Sequence, residues 1–274
     1  MINRARQAIR CIGYGESVRD KLLIGLHLCL FLLFPIATLA RRLGRGLPDP
    51  MRRFRAYRCR CPDGVFECPT GQGPYFLGCE PGYEAGVMRL VREMKGSTFL
   101  DIGANIGFIT VRAARHLDGR GRVIALEPHP VRFTSLKRNI EFNDLTNATA
   151  LPFAAGSAIG TATIYEPLPS LGPHPVDVSM SDIGGLAIQI ETRTVDDLLR
   201  TLHEDDIALV KIDVEGFELE VIKGMTTTLK TLRPQVIFEA LDSSALEATS
   251  RLFAEIAYSV HELDGENYLA RPMP

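Results

Sequence analysis

Hydrophobic and polar positions between residues 97 and 264 alternate between strand-like and helix-like patterns. Short apolar runs predict buried strands at TFLDIG (98–103), RVIALEP (122–128), IALVKIDV (207–214) and PQVIFEA (234–240). Segments with helical spacing of apolar residues predict helices at GFITVRAARHL (107–117), VRFTSLKRNIEFN (131–143), VDDLLRTL (195–202), FELEVIKGMTTTLK (217–230) and SALEATSRLFAEI (244–256). This alternation predicts an α/β fold, with a Rossmann-like parallel sheet that carries helices on both faces.

Weaker patterns complete the predicted organisation of the chain. Further strands are expected at TALPFA (149–154), TATIYE (161–166), LAIQIETRT (186–194), YSVHEL (258–263) and NYLA (267–270). Earlier in the chain, VFEC (65–68) and PYFLG (74–78) are strand-like, turn signals lie at PDG (62–64) and TGQG (70–73), and residues 83–95 predict a helix. The proline-rich residues 166–185 are typical of a lid or substrate loop. Three parts are therefore expected: a basic segment 1–50, a small β/α extension 51–95 and a Rossmann-like domain 96–274.

The N-terminal part has a hydrophobic segment with basic flanks. Residues 22–40 contain no charged side chain, and a helix of that length would span about 30 Å, the thickness of a bilayer core. Five basic residues precede it in 1–21, and eight follow in 41–60, which favours a cytoplasmic catalytic part. A membrane span is the first interpretation, and interfacial attachment or a buried helix in a soluble cytoplasmic protein are the alternatives.

Composition excludes several classes of protein. The 274 residues are 46% hydrophobic and 23% charged with a net charge of −2, which argues against a disordered chain and against a nucleic-acid-binding protein. Four of the six cysteines lie close together, at Cys59, Cys61, Cys68 and Cys79. Their spacing lacks the paired C-x2-C pattern of zinc sites, so cysteines that pack within strands are favoured over a metal site. Nothing in the sequence indicates the oligomeric state.

The first candidate site is the glycine-rich turn Asp101-Ile-Gly103-Ala-Asn105-Ile-Gly107. It follows a predicted strand and precedes a helix, whose free N–H groups suit a carboxylate or phosphate. Glu127 ends the next strand, where an acid can hold both ribose hydroxyls of a nucleoside. Together they indicate an adenosine-containing ligand. The alternative for Glu127 is a surface acid that caps the helix beginning near Pro130.

A second candidate site follows the strand at 207–214. Lys211-Ile-Asp213-Val-Glu215-Gly216-Phe-Glu218 brings three acids to the carboxyl edge of the predicted sheet, where parallel sheets bind ligands. Glu218 is predicted to be exposed, or to stabilise the first turn of its helix.

These segments, in this order, closely resemble the FkbM family of S-adenosylmethionine-dependent methyltransferases, which have a class I Rossmann-like fold. The resemblance rests on FLDIGANIGFIT, IALEPHP and KIDVEGFELEVIKG, with TVDDLL at 194–199 and the IFEA that contains Glu239 also similar. It covers about residues 80–245, and KIDVEGFE is its most specific part. It implies S-adenosyl-L-methionine as cofactor and methylation of a sugar, glycan or other small-molecule hydroxyl.

The resemblance also implies roles for individual residues. Gly103, Asn105 and Gly107 would shape the pocket for the methionine part of the cofactor, and Asp101 would meet its amino group. Glu127 would bind the ribose. The segment around Ala155 would lie near the adenine, although Ser157 stands where many relatives carry an acidic or amide residue.

A methyl group on a sulfonium needs an aligned acceptor and a group that removes the acceptor's proton. Asp213 is the first candidate for general base or acceptor positioning, followed by Glu215 and Glu239. His129 is a further candidate or, equally, a helix-entry residue, and a divalent metal held by the acids is an open alternative. The other functional classes are a non-catalytic scaffold that keeps the cofactor pocket and, less favoured, a nicotinamide-dependent oxidoreductase.

Overall fold

A computed structural model describes residues 10–32, 56–70, 75–166, 186–265 and 267–274. Residues 33–40 of the hydrophobic segment and 167–185 of the proline-rich loop lie outside the described residues. The chain divides into two compact units, one made of residues 1–83 with 163–189, and one of residues 84–162 with 190–274.

The first unit contains a helix and a β-hairpin. The helix α1 covers Val18–Leu32, and strands β1 (Ala56–Cys61) and β2 (Gly64–Pro69) pair antiparallel around a two-residue turn, which confirms the turn signal at PDG. In β1, the buried Cys59 and Cys61 alternate with the exposed Arg58 and Arg60, so both cysteines pack on one face of the strand. The strand predicted at PYFLG is wrong, because Tyr75–Cys79 form a 3₁₀ helix.

Helix α1 has one buried side. Leu23 and Ile24 are buried, whereas Val18 and Leu22 are largely exposed. Asp20 is also buried, and its carboxylate accepts hydrogen bonds from the Ser17 backbone N–H at 3.1 Å and the Ser17 hydroxyl at 2.6 Å. Within the part of the chain that the structure describes, no helix is long and apolar enough to cross a membrane.

The second unit is organised by a seven-stranded sheet in the order β11-β12-β10-β9-β3-β4-β5. The strands are β3 (Ser97–Ile102), β4 (Gly121–Leu126), β5 (Ala148–Leu151), β9 (Ile207–Ile212), β10 (Gln235–Glu239), β11 (Tyr258–Asp264) and β12 (Asn267–Pro272). Pairings from β5 to β10 are parallel, and β12 is antiparallel to both of its neighbours. The predicted α/β architecture with a mostly parallel sheet is confirmed.

Helices fill the connections between these strands, as expected. They are α2 (Ala85–Glu93), α3 (Phe108–His116), α4 (Pro130–Phe142), α5 (Val195–Leu202), α6 (Glu218–Lys223), α7 (Thr226–Thr231) and α8 (Ser243–Glu255). The single helix predicted at 217–230 is wrong, since α6 and α7 are separated at Gly224. A Cβ on Gly224 would lie 2.0 Å from the carbonyl oxygen of Gly156, so only glycine fits at this break.

A small second sheet has the order β6-β8-β7, with β6 at Phe153–Ala155, β7 at Gly160–Glu166 and β8 at Leu186–Arg193. The prediction of one strand at TALPFA is therefore corrected. Pro152 separates β5, which belongs to the large sheet, from β6, because proline lacks the N–H that a continuing strand would donate.

The two faces of the large sheet bury separate apolar clusters. Phe99, Leu209 and Ile237 pack with α2 and α3 on one face, whereas Leu100, Val210 and Phe238 belong to the cluster on the other. Alternate residues of neighbouring strands therefore point to the same face. Polar residues replace this apolar pattern at the carboxyl ends of β3, β9 and β10, which is where the candidate site lies.

Candidate functional site

The turn between β3 and α3 brings the backbone of two strands into close contact. Gly103 has φ +82°, and a Cβ added there would lie 1.8 Å from the Asp213 carbonyl oxygen. Gly107, the N-cap of α3, has φ +91°, and its Cβ would meet the Leu136 side chain at 2.6 Å. Asn105 between them also has a positive φ of 55°. Glycine is therefore required at residue 103 both by conformation and by space.

Asp101 is buried directly below this turn. Its carboxylate is 1% exposed, and Oδ2 accepts a hydrogen bond from the Thr110 hydroxyl at 2.6 Å. Oδ1 has no hydrogen-bond partner among the described residues. Burial raises the pKa of Asp101, and the Lys211 ammonium acts against this shift. A buried acceptor without a partner indicates a place for a donor on a bound molecule.

Glu127 follows β4 and is 3% exposed. Its Oε2 accepts from the backbone N–H of Asn105 at 2.8 Å, and Oε1 accepts from that of His129 at 2.8 Å. Burial raises the pKa of Glu127, and the hydrogen bond from the His129 N–H opposes that effect. The carboxylate is thus fixed in one orientation beside the glycine turn. Because it is buried, the surface-acid alternative does not hold.

His129 lies at the N-cap of α4 and is also buried. Its Nδ1 accepts a hydrogen bond from the Val131 backbone N–H at 3.2 Å. This is the arrangement of a helix-entry residue, which the sequence analysis gave as the alternative to a catalytic role.

Strand register places charged side chains together on the face of α2 and α3. Asp101 of β3 is paired with Lys211 of β9. Phe238 of β10 is paired with Ile212 of β9. The residues that follow them, Glu239 and Asp213, therefore lie side by side. Residues in register point to the same face of a sheet. We call Glu84, Asp101, Lys211, Asp213 and Glu239 the acid–lysine cluster.

Lys211 is the centre of this cluster. Its ammonium is buried, with 5% of the side chain exposed, and donates to Asp213 Oδ2 at 2.7 Å. Burial alone would lower the pKa of Lys211, but the charges of Asp213 and Asp101 outweigh it and raise the pKa. Lys211 lies in the KIDVEGFE motif, but no role was predicted for it from the sequence. A lysine in an otherwise apolar strand was the signal that could have identified it.

Glu84 completes the cluster and was missed entirely. It precedes α2, has a left-handed φ of 51°, and its Oε2 is buried with no hydrogen-bond partner among the described residues. Burial raises its pKa, and Lys211 acts in the opposite direction. No sequence signal marks Glu84, since its place depends on how α2 packs over the sheet.

Glu239 is half-buried at the end of β10. Burial, followed by the negative charge of Asp213, raises the pKa of Glu239 to about 7. The positive charge of Lys211 limits the shift, whereas the charges of Glu84 and Glu218 add to it. Glu239 therefore changes its charge near neutral pH, unlike an ordinary glutamate.

The loop after β9 separates the remaining acids. Glu215 is exposed and has a positive φ of 52°. Glu218 begins α6 as predicted, but the expectation that it is exposed is wrong. It is 6% exposed, and its Oε1 accepts from the backbone N–H groups of Val214 at 3.3 Å and Gly216 at 3.1 Å. Glu218 therefore holds the shape of the loop that follows Asp213.

Ala155 lies at the end of β6 and is buried. It pairs with Arg193 of β8, and the next residue, Gly156, donates its N–H to the Arg193 carbonyl at 3.0 Å. The Ser157 hydroxyl donates to Glu220 Oε2 at 2.5 Å, so this serine is engaged with α6.

Four cysteines lie close together in the first unit. Cys59, Cys61, Cys68 and Cys79 are buried, and none of them forms a disulfide with another described cysteine. Burial raises the pKa of Cys68. Over the described ranges, no group of three or more His, Cys, Asp or Glu side chains is arranged to hold a metal ion.

Comparison with known proteins gives consistent results. The family described as "Methyltransferase FkbM domain" matches residues 101–264. Hexuronic acid methyltransferase AglP of Haloferax volcanii is 30% identical over 183 residues, which covers 63% of this chain and 71% of that protein. Methyltransferase sdnD of Sordaria araneosa is 29% identical over 175 residues, covering 54% of this chain and 67% of that protein.

A solved structure, methyltransferase FkbM from Methylobacillus flagellatus KT, is 21% identical with a TM-score of 0.47. The match covers 72% of this chain and about half, 52%, of that structure. The family match spans both the glycine turn and the acid–lysine cluster except Glu84. The oxidoreductase and scaffold alternatives are not favoured, and the chain belongs to the FkbM family of S-adenosylmethionine-dependent methyltransferases.

Proposed function

We propose that this methyltransferase acts on a hydroxyl oxygen of a sugar or glycan. The main support for a binding site for the methyl donor is Glu127. It is a buried carboxylate whose two oxygens are both oriented by backbone N–H groups beside the glycine turn. The sugar class is supported by AglP, whose name describes a hexuronic acid methyltransferase. A small-molecule hydroxyl outside the sugars is the second acceptor class.

The residues around the turn fit S-adenosylmethionine. Each Glu127 oxygen accepts one backbone hydrogen bond and keeps a second lone pair for a ribose hydroxyl. Asp101 offers its unpartnered Oδ1 to the amino group. Gly103, Asn105 and Gly107 would line the methionine part, and Ala155 the adenine.

When bound, the cofactor supplies an electrophilic methyl group on a sulfonium. The acceptor oxygen forms a bond to the methyl carbon, the electron pair of the broken S–C bond stays on sulfur, and a carboxylate removes the hydroxyl proton. Asp213 and Glu239 lie side by side at the carboxyl edge of the sheet, which supports both as candidates for this step. The exposure of Glu215 supports a contact with the acceptor. His129 is a weaker candidate because its Nδ1 already accepts a helix N–H.

Calorimetric titration of the full chain with S-adenosylmethionine tests the donor site. We expect Glu127→Ala to weaken binding by roughly two orders of magnitude, since two hydrogen bonds to a charged group contribute about 1.5 kcal/mol each. Glu247→Gln is the matched control, because the Glu247 side chain is 74% exposed on α8. Equal affinity in both variants, with unchanged circular dichroism, would contradict this assignment of Glu127.

A screen with isotope-labelled S-adenosylmethionine tests the acceptor class. Neutral monosaccharides, uronic acids and lipid-linked sugars are offered separately, and label transfer is followed by mass spectrometry. Transfer to sugar hydroxyls supports the proposal. Transfer only to a uronate carboxyl, or only to non-sugar hydroxyls, would contradict the proposed acceptor.

A membrane location is a separate proposal that rests on the sequence. It is supported by the uncharged residues 22–40 and their arginine-rich flanks, which favour a catalytic part on the cytoplasmic side. The buried Leu23 and Ile24 instead favour a helix that packs within the protein. Fractionation of cells that express the full chain decides between them. An unchanged membrane fraction after deletion of residues 1–50 would refute attachment through this segment.

A further inference from the structure

The acid–lysine cluster contains two neighbouring carboxylates in unlike surroundings, and the proposed reaction needs only one proton acceptor. Asp213 is held by the Lys211 ammonium at 2.7 Å. Glu239 lies beside it on the next strand, and no hydrogen bond to its carboxylate is found among the described residues. This difference in partners is the starting point for separating their roles.

We infer that Lys211 is a positioning residue that holds the Asp213 carboxylate through a hydrogen bond, and that Glu239 is the group that takes the acceptor's proton. The inference rests on the proposed function, since it assigns roles within the proposed acceptor site. As the acceptor oxygen bonds to the methyl carbon and the S–C electron pair goes to sulfur, the hydroxyl proton passes to Glu239.

Burial of the Lys211 ammonium is the first reason for assigning these roles. Lys211 is 4% exposed, and a buried charge without a counter-charge is strongly destabilising. Protonation of Asp213 would remove the carboxylate charge that lies 2.7 Å from this ammonium. Asp213 is therefore already engaged as the hydrogen-bond and charge partner of Lys211, although its place at the sheet edge made it the first candidate in the sequence.

The charged groups around Glu239 are the second reason for assigning it as the proton acceptor. Asp213 and Lys211 face it from β9, Glu84 from the start of α2, and Glu218 from α6. Three of these four groups are acids, and burial adds to their effect, so the pKa of Glu239 rises to about 7. A general base works best when its pKa is close to the working pH, which fits Glu239.

Protein labelled with ¹³C at the glutamate side-chain carboxyls allows a direct test by NMR. Glu239→Gln identifies the Glu239 resonance, and its midpoint is followed against pH in the full chain. We expect a midpoint near 7 in the unaltered protein. Asp213→Asn removes a negative neighbour and should lower the midpoint by about one pH unit or more. Lys211→Met removes a positive neighbour and should raise the midpoint by about the same amount.

Lys211→Arg keeps the positive charge and is the variant that preserves folding if Lys211→Met does not. It should leave the midpoint close to the original value, and the exposed Glu247 should titrate unchanged in every variant. A midpoint near 4.5 in the unaltered protein, or the same midpoint in Asp213→Asn, would overturn the inference. Calorimetry with S-adenosylmethionine on the same samples tests the donor site independently. Absence of binding would refute the proposed donor site, whereas binding with an unexpected Glu239 midpoint would refute only the roles given to Lys211 and Glu239.

Discussion

The close approach of Gly103 to the β9 strand end makes a quantitative prediction for Gly103→Ala. The added Cβ would lie 1.8 Å from the Asp213 carbonyl oxygen and must move to at least 3.0 Å, so the backbone has to separate by about 1.2 Å. Neither atom can rotate away, because the oxygen belongs to the main chain. A left-handed φ costs an alanine about 1–2 kcal/mol, and overpacking adds about 1–3 kcal/mol.

The free energy of unfolding of Gly103→Ala should therefore fall by about 2–5 kcal/mol, which corresponds to a decrease in Tm of roughly 4–20 °C. Gly119→Ala is the matched control, since Gly119 has φ +67° but no atom within 4 Å of its added Cβ. In Gly119→Ala the free energy of unfolding should fall only by the cost of a left-handed φ, about 1–2 kcal/mol. Thermal denaturation followed by circular dichroism compares the two. Equal decreases in Tm would refute the claim that Gly103 is required for the contact with Asp213.

Two further predictions concern buried carboxylates. Thr110→Val removes the hydroxyl that donates to Asp101, and we expect a loss of about 1–3 kcal/mol in urea denaturation, whereas Thr231→Val on the exposed side of α7 should change stability little. For Glu239, the folded state binds its proton up to a pH of about 7, and the unfolded state only up to the ordinary value of 4.5. Stability should therefore fall as the pH rises through this window, and Glu239→Gln should remove that part of the fall. Parallel pH profiles of the two proteins would contradict the raised pKa.

The strands and helices of the second unit could be predicted because each has a local cause. Apolar runs with acids or glycine at their ends identified β3, β4, β9 and β10, and helical spacing identified α3, α4, α5 and α8. Three predicted elements were wrong. The helix at 217–230 is broken at Gly224, where a Cβ would collide with the Gly156 carbonyl, and the strand at TALPFA is divided at Pro152. Tyr75–Cys79 form a 3₁₀ helix where a strand was expected.

The candidate site could be predicted in part for the same reason. Asp101 lies near the end of β3, and Glu127 and Asp213 directly follow β4 and β9. A strand end fixes where such a residue lies in a parallel sheet. Glu84 could not be found, because it joins the cluster through the packing of α2 over the sheet. Glu218 was expected to be exposed or to stabilise the first turn of its helix, and it does begin α6. Its burial was not predicted, because it depends on the loop shape that brings the N–H groups of Val214 and Gly216 to its carboxylate.

We propose that the donor binds between Glu127 and Asp101 at the carboxyl edge of β3 and β4. A crystal structure of the full chain with S-adenosylhomocysteine is the decisive test. We expect both ribose hydroxyls within hydrogen-bond distance of the Glu127 carboxylate, and the amino group at Asp101 Oδ1, directly or through one water. A nucleoside bound at another edge of the sheet, or with its ribose away from Glu127, would contradict it.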